Sequence, residues 1–260
     1  MTLVTFETPK AGIALLTFNR PDKLNAFSTP LLQLFESHLR QIEIDPTLRV
    51  VILTGAGEKA FVAGADIGEY AEADDPQVFI DYQLNSRRLF DYVEAYPKPI
   101  IAAINGYALG GGFEIALCCD VLITSTNARL GLPEGLLGLC PGGGGTQRLT
   151  RAVGPYVAAD VLLSGNRLSG QRAYELGLAA QCVELSDLMD AALKKADYML
   201  KVAPLAQREI KRLIRLAPDA SLPTGLSLEQ EVLFRLYNTQ DGREGISAFV
   251  EKREPNFKGR

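Results

Sequence analysis

Two acids in this chain stand apart from the rest because their neighbours are apolar. Glu114 lies in "NGYALGGGFEIALCCD", residues 105–120, and Glu134 lies twenty positions on in "RLGLPEGLLGLCPGGGGTQRL". A carboxylate removed from water without a partner is costly, and it responds by taking up a proton at higher pH. Carboxyls kept in such settings are suited to acid and base work. For either residue alone, helix capping or a solvent-facing position is the competing structural explanation. Ahead of Glu114 run Gly110, Gly111 and Gly112, between a strand pattern and a helix pattern. Such a turn lets backbone come close to a ligand and leaves first-turn N–H groups at the positive end of the helix dipole, a setting for an anion or a developing oxyanion. A plain tight turn is the alternative there. The third stretch is "KAFVAGADIGEY", residues 59–70, whose small residues also permit close backbone approach and whose Asp66 reads as a helix N-cap.

Other chemistries fit poorly. A dinucleotide fingerprint starting at Gly110 needs Gly or Ala at 115, where Ile115 stands, and the glycines 142–145 are followed by Thr146 and Gln147 in place of the Lys-Ser/Thr of a P-loop. The one histidine, His38, falls inside the helical pattern 30–44 and reads as a surface or partly buried helix residue. Cys118, Cys119, Cys140 and Cys182 make no CxxC pair and read as small core hydrophobes, so neither a disulfide nor a metal site is expected.

The elements that must position these residues follow from periodicity. Strands are expected at 4–7 and 13–18 around a turn at 9–12, then a helix at 30–44 and a buried strand in "LRVVILTGAG". A loop at 58–65 leads into helical patterns over 66–96, broken near 74–76, and Pro97 and Pro99 force an extended entry into a strand at 99–104. The helix 114–118 and a strand at 121–124 repeat the alternation. Beyond the second glycine cluster helices are expected at 154–163, 169–176, 187–201, 205–216, 226–237 and 242–252. The reading is an α/β core over 1–200 with a helical appendage over 201–260.

The chain has 260 residues with 47% hydrophobic and 22% charged residues, an ordinary globular profile. A net charge of −4 argues against a protein built to grip phosphate backbones. The opening MTLVTFETPK reads as a strand with no signal or transit peptide, and no apolar run reaches bilayer length, so a cytoplasmic protein with no membrane partner is expected. Arg208, Lys211, Arg212 and Arg215 fall on one helix face, a pattern read as a solvated stripe.

Taken in order, "KAFVAGADI", "PKPIIAAINGYALGGGFEIALCCD", "LGLPEGLLGLCPGGGGTQRL" and "DGREGISAFVEKREPNF" closely resemble the enoyl-CoA hydratase family, the crotonases, over essentially the entire chain. The resemblance implies a crotonase-like spiral of ββα units with C-terminal helices that drive trimer formation, usually two trimers per hexamer. It implies hydration of a 2-enoyl-CoA thioester to a 3-hydroxyacyl-CoA, as in fatty acid β-oxidation. Carried over by residue, it implies an oxyanion hole from the backbone N–H groups of Ala65 and Gly111, Glu114 as base toward water, Glu134 as proton donor to C2, and a backbone contact from Gly142. Coenzyme A, part of the substrate and not a separate cofactor, is expected to meet Lys23, Leu24, Ala63, Gly64, Asp66 and Ile67, with Phe249 and Lys252 from a neighbouring subunit. At Gly68, Phe113 and Leu132 the chain departs from the commoner family pattern. An isomerase or another acyl-CoA enzyme of the family is the rival, opposed by the intact pair of acids. An RNA-binding relative is disfavoured by the acidic balance. A serine-protease relative is excluded because no serine occupies the glycine turn.

Overall fold

The computed structural model describes residues 2–69, 71 and 75–260. Its first two strands, β1 (Val4–Lys10) and β2 (Ile13–Phe18), form an antiparallel hairpin, with β1 running further than the sequence pattern indicates. Ser28 then caps α1 (Thr29–Ile44), its side chain accepting from the Leu31 amide, with Pro30 in the first turn. Leu31, Leu32, Phe35, Leu39 and Ile42 are the buried face of that helix.

The chain next repeats one unit three times. β3 (Val50–Gly55) and β4 (Ala60–Val62) precede a 3-10 turn at Ile67–Glu69 and α2 (Pro76–Glu94), whose N-cap is Asp75. β5 (Ile100–Ile104) and β6 (Tyr107–Leu109) precede α3 (Gly111–Cys118). β7 (Val121–Ser125) and β8 (Arg129–Gly131) precede a 3-10 turn at Pro133–Leu137 and α4 (Gly145–Val153). In each unit the first strand joins a six-stranded sheet ordered β1-β2-β3-β5-β7-β10 and the second joins a four-stranded sheet ordered β4-β6-β8-β9, which makes the chain advance as a spiral. α5 (Pro155–Ser164), β9 (Arg167–Ser169), α6 (Gly170–Glu175), β10 (Gln181–Val183) and α7 (Leu188–Leu200) complete these layers. The expected break near 74–76 is the N-cap and start of α2; Asp74 itself lies outside the described residues.

β3 and β5 are buried on both faces and accordingly read as unbroken apolar runs. Val51, Leu53, Ile100, Ala102 and Ile104 join the larger core with α1, α2 and α3, while Val50, Ile52, Ile101 and Ala103 face α7 through Leu188, Ala192 and Ala196. The corners between sheets would strand backbone carbonyls, and buried asparagines satisfy them. Asn105 Nδ2 donates to the carbonyls of Gly55 at 2.9 Å and Gly57 at 2.7 Å. Asn25 Nδ2 donates to those of Ala56 at 3.0 Å and Ala60 at 2.7 Å. Packing is closest where α3 meets β4: a Cβ on Gly112 would fall 2.0 Å from the Val62 carbonyl oxygen, so only glycine lets that helix start there. Phe113 and Leu132, two of the departures from the family pattern, are core residues.

α8 (Pro204–Leu216), α9 (Leu222–Tyr237) and α10 (Gln240–Glu251) end the chain, and no residue beyond Leu200 belongs to either core cluster. The basic stripe on α8 is only in part the solvated face expected: Arg208 and Arg212 are exposed beside Glu209, but Lys211 and Arg215 are not. Lys211 is 9% exposed and pairs with Asp120 at 2.8 Å, while Arg215 donates to the Cys118 and Cys119 carbonyls at 2.8 and 2.9 Å and pairs with Glu94 at 3.0 Å. These two cations hold α8 against the C-terminal end of α3, where the helix dipole favours positive charge. Cys140 also departs from expectation, being exposed where a core position was read; Cys118 and Cys119 are buried. His38 is half-buried beside Phe6. Among the described residues, no helix is long and apolar enough to cross a membrane and no three His, Cys, Asp or Glu side chains are grouped to hold a metal ion.

Candidate active site

Glu114 occupies the first turn of α3, its amide donating to the Gly110 carbonyl at 2.9 Å. The side chain is 4% exposed, and Oε1 accepts from the amides of Gly143 and Gly145, each at 2.8 Å. The loop carrying those donors comes close because it lacks side chains: a Cβ on Gly143 would sit 2.6 Å from both Glu114 Oε2 and the Phe90 ring. Burial holds the Glu114 pKa above the ordinary carboxylate value, and the Gly145 and Gly143 amides, followed by the positive charges of Arg148 and Arg87, oppose that rise in part.

Glu134 reaches the same place from another element. Leu109 and Gly131 are paired across β6 and β8, and the Gly110 amide donates to the Gly131 carbonyl at 2.9 Å. The 3-10 turn that begins two residues after Gly131 therefore starts beside the glycine turn of α3. Glu134 Oε1 ends 3.2 Å from where a Gly110 Cβ would stand, so the carboxyl covers that turn. Its Oε2 is buried with no hydrogen-bond partner among the described residues. Burial, assisted by the negative charge of Glu114, pushes the Glu134 carboxyl up to about 7.

The loop of Ala63 and Gly64 lies against the same turn. Phe27 and Ala65 form a parallel bridge, with the Phe27 amide donating to the Gly64 carbonyl at 2.9 Å and the Asp66 amide to the Phe27 carbonyl at 2.7 Å. Gly64 Cα is 3.7 Å from the Gly110 Cβ position. Two adjacent backbone segments thus carry the Ala65 and Gly111 N–H groups, and neither group donates to any acceptor among the described residues. Unpaired donors beside a half-buried carboxyl can hold an oxygen that gains negative charge.

Of the remaining expected residues, Leu24 joins this cluster through backbone, adopting a left-handed conformation with its carbonyl accepting from the Ala63 amide at 3.0 Å, while the backbone of Lys23 bonds within its own turn to Arg20 and Ala26. Asp66 does not use its side chain as a helix cap; Oδ2 pairs with Arg20 at 2.8 Å, and only its carbonyl serves the following turn, accepting from Glu69. Ile67 is exposed. Gly142 is next to Gly143, and a Cβ there would lie 2.5 Å from Gln83 Oε1, which places α2 over the loop. Phe249 and Lys252 stand apart: Phe249 is 85% exposed, and Lys252 terminates α10 in a left-handed conformation, its amide donating to the Ala248 and Phe249 carbonyls. Sequence reasoning passed over Gly143, Gly145, Phe90 and Arg148. A glycine run downstream of a buried acid is the signal that could have found the two amides, since such an acid needs donors that approach without side chains.

The spiral of paired strands thus brings two carboxyls and two free amides to one glycine turn. A family profile described as enoyl-CoA hydratase/isomerase matches residues 8–260, so the chain belongs to that family. The 2,3-dehydroadipyl-CoA hydratase of Escherichia coli is 42% identical over 95% of this chain and 96% of that protein. The short-chain-enoyl-CoA hydratase of Clostridium acetobutylicum is 40% identical over 95% of each. Among solved structures, an enoyl-CoA hydratase from Bacillus anthracis superposes with a TM-score of 0.95 at 39% identity, covering all of both chains.

Proposed function

We propose that this chain adds water across the 2,3 double bond of a 2-enoyl-CoA thioester, using Glu114 as the base and Glu134 as the acid. An enzyme of the enoyl-CoA hydratase kind, a hydro-lyase, is what relatives at about 40% identity over most of the chain are named for. The observation that carries the assignment of roles is the difference between the two carboxyls. Burial raises both, but two amides on Oε1 favour the charged form of Glu114, while Glu134, with a buried and unpartnered oxygen, is pushed up to about 7. The donors favour Glu114 as the base, and the unpartnered oxygen favours Glu134 as the acid.

The steps follow from that division. Glu114 removes a proton from water as its oxygen bonds to C3, and the electrons of the double bond move toward the thioester. The enolate oxygen is held by the Ala65 and Gly111 amides, whose grip tightens as charge develops. Glu134 then gives its proton to C2, which restores the carbonyl and leaves a 3-hydroxyacyl thioester. No cofactor enters this scheme; coenzyme A arrives as part of the substrate. Lys23, Leu24 and the 63–67 segment are proposed to line its path, with Gly142 near the water. Phe249 and Lys252 are proposed to serve a neighbouring copy in a trimer or a hexamer of two trimers, assembled through residues 201–260.

Loss of absorbance of the conjugated thioester in crotonyl-CoA tests this reading. Glu114→Gln and Glu134→Gln are each expected to lose roughly 10²–10⁴-fold in kcat while still binding the thioester. Near-full turnover in either variant removes that residue from the mechanism.

A further inference from the structure

Arg148 is an odd residue for its position. It sits in the first turn of α4, its amide donating to the Gly144 carbonyl at 2.9 Å, where the helix dipole disfavours a cation. Its side chain is only 12% exposed. Nη1 donates to the Gly143 carbonyl at 2.5 Å, and the other side of the guanidinium is held by Glu94 Oε2 at 3.0 Å from Nε and by Asp91 Oδ1 at 2.9 Å from Nη2. Gly143 is the residue whose amide holds Glu114. The residue between, Gly144, has φ +104°, and a Cβ on it would fall 2.1 Å from Nη1. The loop therefore has a glycine where any side chain would expel the guanidinium.

We propose that Arg148 is a positioning residue for Glu114: by gripping the Gly143 carbonyl it keeps the Gly143 and Gly145 amides aimed at Oε1, and Glu94 and Asp91 hold Arg148 in register. The claim rests on the role of Glu114 given above. A carbonyl fixed by a charged donor cannot rotate without breaking that bond, and it fixes the Gly143–Gly144 peptide plane, which lies between the two planes that carry the Gly143 and Gly145 amides and adjoins each at one Cα. The guanidinium also supplies positive charge near a buried carboxylate. Other groups acting on Glu114 are Arg87 from α2, Glu134 from the 3-10 turn and the Cys118 thiol on α3 itself, whose Sγ bonds the Glu114 carbonyl at 3.2 Å. Arg87 is half-spent on Asp91, its i+4 neighbour, at 2.8 Å. Arg148 is the cation joined to the loop itself.

The test is the pH profile of crotonyl-CoA hydration in Arg148→Met, Arg148→Lys and Glu114→Gln, each compared with the unaltered protein. Removing fork and charge together, Arg148→Met is expected to lower kcat by roughly 10–100-fold with KM within about twofold, the cost of a slightly misplaced reacting group. Its acid limb should move to higher pH by about half a unit or more, because Glu114 loses a neighbouring positive charge. Arg148→Lys keeps the charge but cannot hold the Gly143 carbonyl and Glu94 together. It is expected to lose kcat with little movement of the acid limb. A purely structural role would reduce the amount of folded protein and leave the acid limb of Arg148→Met where it was, and that result overturns the proposal. Should Arg148→Met fail to fold, full kcat in Arg148→Lys overturns it instead. Turnover by Glu114→Gln would sink the role of Glu114; an inactive Glu114→Gln beside fully active Arg148 variants sinks only the role of Arg148.

Discussion

Glu114 and Glu134 share one glycine turn, but their surroundings treat them in opposite ways. Glu114 is the more deeply enclosed, with 4% exposure, yet it has two amides on one oxygen and two arginines within electrostatic reach. Glu134 is only half-buried, yet one oxygen has no partner among the described residues and the charge of Glu114 raises it further. Burial raises both groups, and the less buried one is nonetheless pushed up to about 7. Depth alone does not set the charge state of an acid; the donors that accompany it into the interior do. In the proposed scheme, chemically identical side chains serve as base and acid because Glu114 is supplied with two loop amides and Glu134 has only its own backbone.

The first way to break this comparison is to remove both carboxyls. If they act as one unit, Glu114→Gln with Glu134→Gln together should cost little more than either change alone in crotonyl-CoA turnover, because the step already fails when one end of the proton path is missing. Losses that multiply would show two independent contributions. A smaller effect separates the carboxyls from the amides. Gly111→Pro deletes the free N–H while keeping a residue suited to a first helical position, and is expected to lower kcat by roughly 10²–10³-fold. Gly111→Ala keeps the N–H, and its Cβ would meet Phe27 at 3.5 Å, an ordinary contact, so it should retain most activity. Equal losses in the two variants would assign the effect to crowding and end the oxyanion reading.

The smallest expected effect is on stability. Glu134 holds its proton more tightly folded than unfolded, with about 7 against an ordinary value of 4.5. The folded state therefore loses stability as pH rises between those two values, and the full penalty is present above the higher one. Glu134→Gln should be less active and more stable, the gain absent in acid and complete above neutrality. Because the group is partly exposed, the gain is expected at about 1 kcal/mol, a rise of roughly 2–4 °C in Tm. A melting temperature that falls at every pH would show that the carboxyl is structural.

Much of this site was legible because both acids interrupt apolar runs, a contrast that sequence displays directly. The long elements were legible for the same reason, since α1, α2 and the buried strands β3 and β5 carry strong periodic or unbroken apolar patterns. β4, β8, β9 and β10 were not, because each has three residues and three residues have no period to read. α4 was hidden by its glycine start. The run at 142–145 pointed to the loop, but only the folded backbone shows that Gly143 and Gly145 turn their amides to Glu114. The stripe on α8 misled in the opposite direction. Its spacing is that of a solvated face, and nothing local reveals that Asp120 and Glu94 wait across a tertiary contact for Lys211 and Arg215.

The difference in charge between the two acids can be read directly by titrating the glutamate side-chain carboxyls by carbon-13 NMR, with Glu114→Gln and Glu134→Gln supplying the assignments. One resonance should titrate at about 7, vanish in Glu134→Gln, and move to lower pH in Glu114→Gln because the neighbouring negative charge has gone. If instead no glutamate titrates above the ordinary carboxyl range, or the resonance near neutrality belongs to Glu114, the division of acid from base described here is wrong.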